Sequence, residues 1–221
     1  MDHNVDNLIE IEKEIQLKVS ESNNMFKMPT IIAVSKTFSI SDILPVINYG
    51  QIHFGENKIQ EAIDKWESIK IDFKHIKLHM VGKLQTNKVK YLIPFFDYLH
   101  SLDNIKLAEK ISSEQKKKNK KLKIFIQVNI GSEQQKNGIE IDQVENFYNK
   151  CTNELELDII GLMCLPPNNE KSSLYFSKMN MLAKKLNLSE LSMGMSNDYI
   201  EALENNSSFI RIGSKIFGPR D

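Results

Sequence analysis

Short apolar runs recur eight times along the chain, and between successive runs lie segments whose apolar residues repeat at helical spacing. The runs cover residues 30–35, 51–54, 76–81, 98–102, 123–130, 159–165, 190–195 and 209–217. The helical segments cover 41–48, 57–69, 85–95, 104–118, 141–151, 171–186 and 198–204. A strand can reach a parallel neighbour only through a crossover, so strict strand–helix alternation implies a parallel sheet. Eight such units close into a barrel. A doubly wound sheet would instead carry a glycine-rich turn after its first strand, and here that turn is Ser35-Lys36-Thr37-Phe38. The predicted fold is α/β, a single (β/α)8 TIM barrel over residues 1–221. An extra N-terminal helix precedes it, with Leu8, Ile11, Ile15 and Val19 on one face.

Composition narrows the function. Lysine plus arginine equals aspartate plus glutamate at 29 each, so no overall positive field exists to hold nucleic acid or an anionic membrane. The first eleven residues lack both a basic stretch and an apolar core, so they do not read as a secretion signal. No apolar run is long enough to span a bilayer. A cytoplasmic protein is expected, and the absence of an obvious apolar surface stripe favours a monomer. Cys151 and Cys164 have no C-x-x-C spacing and no histidine cluster nearby, so they are read as packing residues and no metal site is expected. The lysines at 116–118, 120 and 121 fall where a helix should end, where cations complement exposed carbonyls.

In such a barrel, functional groups gather at the C-terminal ends of the strands and in the loops beyond them. Lys36 ends the first run and, by two-residue alternation, shares a face with Ile32 and Val34 towards the barrel mouth. Desolvation there lowers an amine's pKa and yields the uncharged nucleophile that attacks an aldehyde carbon. The alternative is a surface lysine at a strand end. Arg211, one of two arginines in the chain, alternates with apolar neighbours in the last run. Its guanidinium can donate to an unprotonated ring nitrogen, or it can pair with a carboxylate across the barrel. Ser196 follows the seventh run, and Gly213 with Ser214 lies in the eighth, where loops commonly hold phosphate and where simple helix capping is the alternative. Asn57, three residues before Gln60, reads as a helix cap or a pocket-lining amide. His79 reads as a pocket residue near the mouth or as a core histidine with satisfied nitrogens.

Several stretches taken together carry a resemblance. They are Ala33-Val34-Ser35-Lys36, Phe54-Gly55-Glu56-Asn57, Val81-Gly82-Lys83-Leu84-Gln85-Thr86-Asn87-Lys88, Gly161-Leu162-Met163, Leu191-Ser192-Met193-Gly194-Met195-Ser196, Arg211-Ile212-Gly213-Ser214 and Ile216-Phe217-Gly218. In order and spacing the chain resembles the pyridoxal phosphate homeostasis protein family, whose fold is similar to the N-terminal domain of alanine racemase. The resemblance implies that Lys36 carries pyridoxal 5′-phosphate as an internal aldimine. It also implies that Ser196, Gly213 and Ser214 hold the phosphate, that Arg211 faces the pyridine nitrogen and that Asn57 lines the pocket. Lys83, Cys164 and Ser214 depart from residues common in the family; Ser214 stands where many members have threonine, and it keeps the hydroxyl.

The implied role is binding, buffering and delivery of the cofactor in vitamin B6 homeostasis, with apo pyridoxal-phosphate enzymes as candidate acceptors. A racemase needs acid/base groups on both faces of its substrate, and Lys36 supplies one. The chain ends just after the eighth run, which leaves no length for a domain bringing the second. No catalytic residue is therefore expected; the alternative is a pyridoxal-phosphate-dependent racemase or lyase.

Overall fold

The eight apolar runs become eight parallel strands that close on themselves. The computed structural model describes residues 2–22, 26–133, 135–167 and 170–219. The strands are β1 (Thr30–Val34), β2 (His53–Glu56), β3 (Lys77–Met80), β4 (Tyr98–Leu102), β5 (Lys123–Val128), β6 (Asp158–Cys164), β7 (Glu190–Ser192) and β8 (Phe209–Ile212). Each pairs with the next in chain order, and β8 returns to β1 with Ile32 opposite Arg211, closing the barrel. The expected (β/α)8 architecture is the observed one.

Helices α1 (His3–Glu21), α2 (Ile40–Tyr49), α3 (Ile59–Asp72), α4 (Val89–Phe95), α5 (Ile105–Lys118), α6 (Val144–Asn149), α7 (Ser172–Lys185), α8 (Tyr199–Glu204) and α9 (Ser214–Phe217) accompany the strands. The outer core lies between them and the sheet. Helix α1 starts at Asp2, whose carboxylate accepts from the Asn4 amide at 2.9 Å, and buries Val5, Leu8, Ile11, Ile15 and Val19. Full burial of such side chains contributes roughly 1.5–3 kcal/mol each before entropy is counted. Its Asn7 side chain donates to the Ile216 carbonyl at 2.8 Å, tying the start of the chain to its end. Helix α5 ends in the lysine run and is stopped by Asn119 in the left-handed region, as its position in the pattern implies. Among the described residues no helix is long and apolar enough to cross a membrane.

The largest departure from the sequence reading is the last run, 209–217. Only Phe209–Ile212 is strand; Gly213 breaks it and a short helix, Ser214–Phe217, follows. Apolar content alone cannot separate a buried strand from a buried helical turn. A strand ending there is what places Ser214 at the mouth.

Inside the barrel, Ile32, Val34, Tyr98, Phe125, Met163 and Phe209 form a separate inner cluster. Ile210 and Ile212 point outward into the main core, so Arg211 points inward, as period-two alternation requires. Cys151 and Cys164 are both buried free thiols, pushed up to about 12 by burial, which suits packing and not reactivity.

Candidate functional site

The C-terminal ends of β1 and β8, with the loops beyond β6 and β7, surround a cavity of about 530 Å³. Lys36, Ser196, Arg211, Gly213 and Ser214 all line it. Five candidates scattered over 179 positions of sequence thus meet at one opening. Strand β1 stops at Val34, and Lys36 stands two residues on, in a turn closed by the Phe38 amide on the Ser35 carbonyl at 3.2 Å. Val34 lines the same cavity, so Lys36 keeps the inward direction that alternation gives it.

Arg211 is 6% exposed. Its Nη1 donates to Ser192 Oγ at 2.6 Å and its Nη2 to the Cys164 carbonyl at 2.9 Å. Among the described residues no carboxylate forms an ion pair with it, so the cross-barrel ion pair left open by the sequence is not what holds it. Burial pulls the guanidinium down from its ordinary value, with Cys164 and Asp198 opposing that pull, yet an arginine so placed stays charged. A buried cation on neutral acceptors, facing a cavity, leaves N–H groups for an electron-rich ligand atom.

Ser196 is not the helix cap it resembles in sequence. Asp198 occupies the N-cap position of α8, and its carboxylate accepts from the Met195 amide at 2.7 Å. Ser196 Oγ instead accepts from Ser214 Oγ at 3.1 Å and from the Lys215 amide at 3.3 Å. Two hydroxyls and a backbone amide from the β7 and β8 loops therefore converge, a donor set suited to an anion. Gly194 makes this possible. At φ 89° it takes the left-handed region, and a Cβ there would lie 2.6 Å from Ala202 Cβ, so only glycine lets the β7 loop fold over α8.

Two candidates lie elsewhere. Asn57 lines a neighbouring cavity of about 330 Å³ with Lys58, Met80 and Lys83. It does not cap α3 either, since Lys58 occupies the N-cap position, Asn57 Oδ1 is buried without a hydrogen-bond partner and Gln60 pairs with Asp64. His79 is fully buried below the mouth. Its Nε2 meets His53 Nδ1 and its Nδ1 meets His100 Nε2, both at 2.9 Å, so neither nitrogen is left for a ligand. The satisfied core histidine is the reading the structure favours.

That arrangement extends further than the sequence indicates. His100 Nδ1 lies 2.8 Å from Ser192 Oγ, so a single polar chain runs from His53 through His79, His100 and Ser192 to Arg211. One set of tautomers satisfies every link. The Ser192 hydroxyl donates to His100, His100 to His79 and His79 to His53, while Ser192 Oγ accepts from Arg211. His79 stacks on Tyr98 at 4.1 Å and His100 on Phe125 at 4.4 Å, which fixes the rings. Burial holds both histidines well below their ordinary range; neighbouring histidines add to this for His79, and the Arg211 charge does so for His100. His53, His100 and Ser192 were not singled out in the sequence. The one available signal was inward parity in adjacent strands.

The chain matches the model of the alanine racemase N-terminal domain over residues 13–221. It is 32% identical to the pyridoxal phosphate homeostasis protein of Pasteurella multocida, over 97% of each chain. It is 36% identical to that of Aquifex aeolicus, over 86% of each. Among solved structures, PipY of Synechococcus elongatus with PLP bound superposes with a TM-score of 0.81 at 29% identity, covering 92% of this chain and 100% of that one. Alanine racemase of Clostridium difficile, 12% identical with a TM-score of 0.70, shares the fold over 56% of its length.

Proposed function

The chain belongs to the pyridoxal phosphate homeostasis proteins, within the alanine racemase N-terminal-domain family, and from that membership and the mouth cavity we propose that it binds pyridoxal 5′-phosphate covalently through Lys36. Lys36 would hold the cofactor, which would supply an aldehyde carbon for condensation with the lysine amine and loss of one water. Arg211 would donate to the ring nitrogen, which would leave that nitrogen unprotonated and the ring a weak electron sink. Ser196, Ser214 and the amides after Gly213 hold the phosphate. Asn57, which lines the neighbouring cavity, is not among the residues around this one.

The observation that carries this reading is the convergence on one cavity of a lysine amine, a buried guanidinium held by a hydroxyl and a carbonyl, and a paired-hydroxyl anion cradle. A cavity of about 530 Å³ lies within the range usual for cofactor sites.

The role is cofactor binding, buffering and delivery without strong catalysis. The cavity's carboxylates are already engaged: Asp198 with the Met195 amide, Glu201 with the Ser173 amide and Glu170 with the Tyr175 hydroxyl. None is offered as a second acid/base group opposite Lys36.

The test is the ultraviolet–visible spectrum of the purified protein with added pyridoxal phosphate, before and after borohydride, followed by location of the modified peptide. A band near the visible edge, trapped on Lys36 and absent in Lys36→Ala, is the expected result. A colourless protein, or modification at another lysine, refutes the assignment. Solvent deuterium appearing at the α-carbon of an amino acid refutes the non-catalytic role.

A further inference from the structure

We propose that Glu61, acting with Glu56 and Lys65, is a positioning residue for Lys36; the inference rests on the reading that Lys36 holds the cofactor. Lys36 belongs to two peptide units, and a side chain of α3 grips each of them. The Ser35 carbonyl, on one side, accepts from Lys65 Nζ at 2.8 Å. The Thr37 N–H, on the other side, donates to Glu61 Oε1 at 2.8 Å. Glu61 and Lys65 stand four residues apart on α3, so both reach the turn from one face of the helix.

The clamp is anchored beneath the turn. Glu56 is fully buried, and its Oε1 accepts from Lys65 Nζ at 3.1 Å, from Trp66 Nε1 at 3.0 Å and from Ser35 Oγ at 2.8 Å. Lys65 and Glu56 cancel each other's charge, so the anchor holds the backbone without adding a net charge next to the Lys36 turn.

Thr37 shows why a clamp is needed. Its φ of 70° lies in the left-handed region, which a β-branched residue rarely adopts unless its surroundings enforce it. The bond to Glu61 restrains its amide. Without it the peptide between Lys36 and Thr37 is released to rotate, and cofactor binding must then order the turn as well as the ligand.

Glu61 lies at the helix surface with 28% of its side chain exposed, so replacing it leaves the core intact. Glu61→Ala is expected to speed hydrogen exchange of the Thr37 amide in the cofactor-free protein. It is also expected to weaken pyridoxal phosphate binding, read by absorbance titration, by about tenfold, the worth of one hydrogen bond. Glu61→Gln keeps an acceptor oxygen at the same place and is expected to bind within about twofold of the parent. A Glu61→Ala protein that binds as the parent does and protects Thr37 equally overturns the proposal. So does equal weakening in Glu61→Gln, which would assign the effect to charge. If the parent itself binds no pyridoxal phosphate at Lys36, the functional reading fails instead, and Thr37 exchange in the cofactor-free proteins still decides the clamp.

Discussion

Lowering the pH from 7.5 to 5.5 should destabilise this barrel through its buried histidines. In the unfolded chain each ring takes up a proton below its ordinary value near 6.5. In the folded chain burial keeps His79 and His100 neutral well below that value. The unfolded state therefore binds more protons. The stabilisation is fully present above about pH 6.5 and is lost progressively as the pH falls below it.

At pH 5.5, one unit below the unfolded value, each histidine costs about 1.4 kcal/mol, and the two together about 3 kcal/mol. That is a large share of the stability of an ordinary domain. His53, lowered chiefly by burial with Lys77 and Lys123 assisting and Asp97 opposing, adds loss of the same sign. The shifted carboxylates do not confuse this pH window. Glu14 and Glu114, held below the usual carboxylate range chiefly by hydrogen bonds from Tyr199 and Lys110, titrate beneath it.

Urea unfolding at both pH values supplies the measurement, with His79→Phe/His100→Phe as the comparison. The double variant loses absolute stability, because Ser192 and His53 lose partners, but its pH dependence should shrink by about the same 3 kcal/mol. Equal pH dependence in the two proteins would refute the account of a neutral, buried chain.

Two further outcomes follow from single atoms. Ser192→Ala removes the oxygen shared by Arg211 and His100, leaving a guanidinium N–H and a ring nitrogen unsatisfied; a loss of about 2–4 kcal/mol is expected, and one under about 0.5 in urea unfolding would count against the chain. Gly161→Ala places a Cβ 2.1 Å from the Glu190 carbonyl, across the β6–β7 pairing, so the strands must part. Unfolding at markedly lower temperature is expected, by about 3 kcal/mol or more, and an unchanged melting temperature would show that the seam yields.

The candidate site was half legible in the sequence because half of it is local. Lys36, Ser196, Gly213 and Ser214 each sit just past a strand, and in a closed parallel barrel every strand end faces the same opening, so finding the strands finds the site. Asn57 and His79 were harder for the same reason in reverse. Each carries a chemistry that suits either a pocket or the interior, and which one it meets depends on its height in the barrel, which a run of letters does not contain. Glu61 and Lys65 read as ordinary charges on a helix surface. Their partners are backbone atoms of a turn 24 and 30 residues away.

Alternation of strand and helix determined the barrel, because parallel strands need crossovers and eight strands joined by seven crossovers of one hand close. Period two determined that Arg211 points inward between outward isoleucines. Tertiary structure alone decided what Arg211 meets. Ser192, His100, His79 and His53 come from four strands whose register sets each ring within 3 Å of the next, and register arises only when the sheet closes.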